Sequence, residues 1–314
     1  MKKTISIFLF SLLILPINSW ASECSSPRPE WVFYSCWTAG TGTSDTVLRD
    51  GGKWNDAKYA GHISVVNNPP AGAPDVGNAF KVSWQEGSAT ACDGNGDTNH
   101  FVEKVPITLP NPFYIRFYFW SADLRPHYDC SGRKFLYVRH ETPTGNGNLF
   151  LWNYGSNQAR LVVKNMANEQ LYGTDPHGWN RRDSNHYNGS YPWPGQESPG
   201  IISANTWYYI EFAEYRHTTA GWFKAWLNGE LVINLTVAAF DAMGDNYGPG
   251  TGKYNTNNDD HPNWIQTPSY WNGGSRAHDE YFMNFIASSS YIGPTGGGTP
   301  NPPPNAPTGL ENIQ

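Results

Sequence analysis

Residues 205–235, NTWYYIEFAEYRHTTAGWFKAWLNGELVINL, restrict this chain more than any other stretch. An aromatic-rich strand over 206–217 reaches a turn at Thr218, Thr219, Ala220 and Gly221, and a second strand follows over 222–227. Asn228-Gly229 is a strong two-residue hairpin signal, because both positions of such a turn need positive φ. An apolar run over 230–235 then completes a three-strand meander. Its strand residues include Trp207, Tyr208, Tyr209, Tyr215, Trp222 and Trp226. Ring surface of that density on adjacent strands predicts a curved sheet whose exposed face grips flat, hydroxyl-rich molecules, that is, sugars.

The rest of the chain extends the pattern. Alternating or continuous apolar runs recur between Gly, Pro and Asn clusters at 30–36, 62–66, 78–84, 100–108, 112–120, 134–140, 148–153, 159–164 and 280–287. Helical periodicity is absent apart from one short turn expected over 237–243. About a dozen strands with turn signals between them imply an all-β sandwich or jelly roll. Two long strand-poor loops, 175–200 and 241–270, carry many rings and donors; long loops in compact domains tend to be functional or disordered. From Gly293 onward the composition turns to Gly, Pro, Thr and Asn, which reads as an extended linker or the truncated start of a following module.

Residues 1–21 read as an export signal: Lys2 and Lys3, an apolar run over 5–15, then Ser19-Trp20-Ala21 as a small-residue cleavage site. Export makes Cys24, Cys36, Cys92 and Cys130 disulfide partners. Four cysteines allow three pairings; Cys24 with Cys36 and Cys92 with Cys130 is the expected one, because nearest neighbours close the smaller loops. Charged residues make up 15% of the chain, against ~25% for average proteins. A formal net charge of −6 leaves no basic footprint for nucleic acid and no polybasic patch for an anionic membrane. The expected partner is a polysaccharide, met by a secreted monomer.

Three stretches carry a family resemblance. Phe113-Tyr114-Ile115-Arg116-Phe117-Tyr118-Phe119 forms one; Trp207 and Glu211 through Trp226-Leu227-Asn228-Gly229 form another. The third is Tyr270-Trp271-Asn272-Gly273-Gly274 with 280–286 and Tyr291-Ile292-Gly293-Pro294. Together the chain resembles the concanavalin A-like lectin/glucanase superfamily, in its secreted bacterial branch that includes polysaccharide-lyase-like proteins. The resemblance implies a jelly-roll sandwich of two antiparallel sheets over 22–292. It also implies carbohydrate recognition on the concave sheet face, or a polysaccharide lyase acting on a uronate glycan by β-elimination. The E-x-D-x-x-E strand of the laminarinase-like glycosidases and the R-x-E-x-R and Q-x-H pair of the alginate lyases are both absent.

Strand alternation sorts the candidate site residues. Phe113, Ile115, Phe117 and Phe119 share one face, while Tyr114, Arg116, Tyr118 and Trp120 share the other. The first set is core and the second is the expected ligand face, joined by Tyr209 and Trp226 from the meander. Glu211, in phase with Tyr209, must be paired, exposed in a groove, or raised in pKa. Usual glycoside hydrolysis needs a second carboxylate within ~5–9.5 Å, and no partner in phase is obvious. A lyase needs a group to neutralise the uronate and a base for the adjacent proton. Arg139 and His140 at the end of the 134–140 strand, whose 134–138 part supplies core, could serve. So could Arg181, Arg182, His186 and Tyr187 in the first long loop, where Trp193 is a candidate sugar platform. Asp93, Asn95 and Asp97 space oxygens as calcium loops do, which makes a structural calcium the one cofactor expected. Against it, Thr98 stands where the loop glycine belongs and Lys104 where the bidentate glutamate belongs.

Overall fold

The computed structural model describes residues 23–38, 40–42, 53–58, 62–75, 77–85, 98–99, 101–104, 106–125, 132–139, 147–155, 157–165, 170–173, 201–215, 220–236, 262–267, 270–271 and 276–294. These residues form strands and one 3-10 turn, Glu23–Ser25. The strands are β1 (Trp31–Ser35), β2 (Asp56–Lys58), β3 (Ile63–Val66), β4 (Ala79–Trp84), β5 (Thr98–Asn99) and β6 (Phe101–Lys104). Next come β7 (Phe113–Ser121), β8 (Gly132–Arg139), β9 (Gly147–Gly155), β10 (Gln158–Asn165), β11 (Gln170–Gly173) and β12 (Ile201–Ser203). Last are β13 (Tyr208–Tyr215), β14 (Trp222–Leu227), β15 (Glu230–Thr236), β16 (Trp264–Thr267), β17 (Tyr270–Trp271) and β18 (His278–Ser288).

Sheet A runs β15-β14-β13-β7-β18-β4-β3, with β1 also on β18; sheet B runs β11-β10-β9-β8-β16-β6-β2, with β12, β17 and β5 attached. The described pairings are antiparallel, and the chain passes from A to B and back twice after β7. Two facing antiparallel sheets exchanging strands in this way make a jelly-roll sandwich, the fold expected from the sequence.

The core lies between the sheets. Phe80, Phe117, Phe119, Ile210 and Phe212 come from sheet A, and Val102, Leu136, Val138, Leu161 and Ile265 meet them from sheet B. Two tryptophans from the connections seal one side: Trp37 and Trp54 stack at 5.7 Å, and Trp54 Nε1 donates to Ser35 Oγ at 3.1 Å, so the buried indole keeps its hydrogen bond.

The meander forms as expected. Leu227 pairs with Glu230 across Asn228 (φ 52°) and Gly229 (φ 85°), the positive-φ pair of a type I′ turn. The strand expected over 100–108 stops at Lys104. Pro106 and Pro110 carry no N–H for a ladder, and Ile107 and Leu109 donate instead to the Asn263 and Pro262 carbonyls. The short strands β2, β5, β11, β12, β16 and β17 went unanticipated. The turn expected over 237–243 lies outside the described residues, as does the 1–21 signal. Among the described residues no helix is long and apolar enough to cross a membrane. Cys24 and Cys36 are disulfide-bonded; Cys92 and Cys130 lie outside the described residues.

Candidate functional site

The alternation read from the sequence is correct, but the face it assigns to ligand is covered by the chain itself. Phe113, Ile115, Phe117 and Phe119 lie in the main core, and Tyr118, Tyr209 and Trp226 lie on the opposite face of sheet A in a second apolar cluster with Met283 and Ala79. Arg116 and Glu211 are 0% exposed, Trp226 2% and Tyr118 4%. Both ends of the described chain make the cover. From the N-terminal side, Glu23 places its carboxylate on the Arg116 guanidinium, and the Cys24–Cys36 disulfide holds that turn in place. From the C-terminal side, Tyr291 packs on Trp226 with ring centroids 5.1 Å apart, and Ile292 and Gly293 donate their N–H groups to Glu211 at 2.8 and 3.1 Å.

The charges under this cover are structural. Arg116 binds Glu23 and donates to the Tyr118 hydroxyl at 3.1 Å. A bulge in β18 puts Asn284 at φ 47°, from which its amide reaches Asp75 and Glu23. Burial pushes the Glu211 carboxyl up to about 7, against the pull of the Ile292 and Gly293 N–H groups and the Tyr209 hydroxyl. Burial, with Glu211 beside it, likewise raises Tyr209. Arg116, Tyr118, Tyr209 and Trp226, expected to meet ligand, and Glu211, expected to be catalytic, thus lie beneath the flanks of the described chain, each 5% exposed or less. Tyr114 is half-buried against Trp222 and Trp226. Trp120 alone of the expected ligand face lines a recess, with Tyr281, at the far end of sheet A.

His140, Arg181, Arg182, His186, Tyr187, Trp193, Asp93, Asn95 and Asp97 lie outside the described residues. Among the described residues no group of three His, Cys, Asp or Glu side chains could hold a metal.

Sheet B presents a different surface. Leu136 and Val138 lie in the main core, and Tyr137 between them sits on the opposite side of the strand, where it too is buried at 5% exposure, so the expectation of a core-supplying run holds over 136–138. The same alternation puts Gln266, 6% exposed, beside the core residue Ile265 and the half-buried Glu103 beside Val102, both on the side of sheet B away from the core. These three are directly opposite one another: Glu103 pairs with Gln266, and Gln266 with Tyr137. The register carries the row on both ways, through Asp56 opposite Glu103, Asn148 opposite Tyr137, and Lys164 opposite Asn148. Six aligned positions across six strands span about 24 Å, at ~4.8 Å per strand. Flanking positions on the same face pair Trp264 with Arg139 and Trp152 with Arg160. Arg139 thus takes a place beside this row, two residues along β8 from Tyr137.

Sequence reasoning did not single out the Glu103–Gln266–Tyr137 row. The signal available was the i, i+2 alternation in 134–138; β16 hid inside a stretch read as loop.

In fold the chain is similar to solved structures of several proteins. A cellulose-induced protein is 14% identical over 74% of this chain and 88% of that one, with a TM-score of 0.45. An alginate lyase from Aplysia kurodai is 12% identical over 82% and 98%, with a TM-score of 0.41. An endo-1,3-β-glucanase from Streptomyces sioyaensis is 11% identical over 83% and 97%, with a TM-score of 0.42. No family model and no curated protein matches the sequence. At such identities what those proteins bind or cleave does not carry over to this chain.

Proposed function

We propose that this is an exported polysaccharide-recognition protein that lays its ligand across the outer face of sheet B. The row of Glu103, Gln266 and Tyr137 across β6, β16 and β8, with the half-buried Trp264 beside it, carries the proposal. A carboxylate, an amide and a phenol at neighbouring strand positions suit the repeated hydroxyls of a glycan chain, and Trp264 suits stacking on a sugar face. Export is supported by the leader-like residues 1–21 and by the Cys24–Cys36 disulfide.

Calorimetric titration with glucuronan and alginate oligosaccharides tests the reading. Binding should fall about tenfold or more in Glu103→Ala and Trp264→Ala, both at half-buried positions, with the thermal midpoint kept within a few degrees. Full affinity in both variants, or no binding to either polymer, places the ligand elsewhere.

A further inference from the structure

The recess at the end of sheet A has a composition unlike that of the sheet B row. It wraps over the ends of β4, β7 and β18, with a volume of about 560 Å³, inside the ~300–1,000 Å³ range of small-molecule sites. Trp120 and Tyr281 line it as a half-buried pair, with centroids 5.5 Å apart and planes at 76°, so indole and phenol form a corner. On the same side, Asp279 is held at 2.7 Å by Ser83 Oγ and at 2.8 Å by Lys81 Nζ.

The floor is rigid. Trp84 Nε1, Ser121 Oγ and His278 Nε2 all converge on the buried Glu280 carboxylate, and His278 Nδ1 faces the Arg276 carbonyl. At the wall, Asp123 is clasped by Arg125 through Nε and Nη2. Burial raises the Asp123 carboxyl, but the Arg125 bonds outweigh it and hold it below its usual value. Each carboxylate bordering the recess therefore has its own cation: Lys81 for Asp279 and Arg125 for Asp123. Pre-positioned acceptors and donors, two rings set as a corner and no uncompensated charge together select a neutral, hydroxylated, flat-faced ligand.

We propose that this recess is a second glycan-binding site, separate from the sheet B face, that takes neutral pyranose units. Trp120 carries one sugar face, and the Asp279–Lys81–Ser83 group accepts and donates to the ring hydroxyls. Its ligand need not be the polymer that sheet B takes, and its standing does not depend on that reading.

The test is titration of the full chain with three neutral hexasaccharides, β-1,4-gluco-, β-1,3-gluco- and β-1,4-manno-, followed by tryptophan fluorescence and calorimetry. At least one should bind, with affinity reduced about tenfold or more in Trp120→Ala, largely kept in Trp120→Phe, and unchanged in the sheet B variant Glu103→Ala. Asp279→Asn should weaken the same ligand and serves as the reading if Trp120→Ala fails to fold. Absence of binding by all three probes overturns the proposal, as does undiminished affinity in Trp120→Ala or Asp279→Asn. Loss in Glu103→Ala but not in Trp120→Ala would assign the neutral ligand to sheet B instead.

Discussion

Glu211 lies under the C-terminal strap with the Ile292 and Gly293 N–H groups and the Tyr209 hydroxyl on its two oxygens. Those donors favour the carboxylate, yet burial outweighs them and lifts the group from an ordinary 4.5 to about 7. A carboxyl raised on folding keeps its proton in the native state while the unfolded chain loses it, so its contribution is whole below about 4.5 and disappears as pH rises through about 7. Unfolding free energy should therefore fall by about 3 kcal/mol between pH 4.5 and 8 from this group. Glu211→Gln removes the titration. Its amide nitrogen confronts one of the strap N–H groups, so the variant should start about 1 kcal/mol less stable at low pH but lack this component of the slope. Urea unfolding across that range measures it, and an equal slope in both proteins would show that Glu211 ionises freely in the fold. Arg116 follows the complementary logic: a guanidinium with no exposed surface is tolerable because Glu23 pairs with it.

At the level of single strands and turns, the sequence is informative where a segment is long and its chemistry is local. The β13–β14–β15 meander and its Asn228-Gly229 turn were legible because positive φ, ring-rich alternation and turn spacing all point the same way. The six strands that escaped are two to four residues long, and all but β11, which folds back on β10, are defined by partners distant in the chain: β16 exists because β6 and β8 flank it. Periodicity cannot emerge from four residues. Faces were legible to the same limit, since alternation told Tyr118 from Phe117 but not water from a second layer of protein. The turn itself gives a test. Gly229 at φ 85° has only Pro294 Cγ, 3.9 Å from where a Cβ would stand, so Gly229→Ala meets no clash and its cost is conformational. It should destabilise the protein by about 1 kcal/mol, read as a lower urea midpoint at unchanged m-value. No change in midpoint would mean that the turn relaxes to another type.

For the molecule as a whole, the two sheets are treated asymmetrically. Sheet A is roofed by both flanks of the described chain, with Glu23–Ser25 entering on one side and Tyr291–Gly293 leaving on the other, and this long-range closure is what sequence pattern could not reveal. Tyr291 and Ile292 end the unit expected over 22–292: Ile292 is buried and Tyr291 packs on Trp226. Gly293, read as the first linker residue, still donates its N–H to Glu211 and belongs to the strap. Ending the chain after Pro294 should leave the thermal transition unchanged. Ending it after Ser290 strips the N–H partners from Glu211 and uncovers Trp226, costing about 3 kcal/mol or more. That shorter chain should also expose an apolar patch that binds a hydrophobic dye, whereas the chain ending at Pro294 should not. Equal midpoints and equal dye binding for the two truncations would mean that the strap merely rests on sheet A, and that the Tyr118–Tyr209–Trp226 face is open to ligand after all.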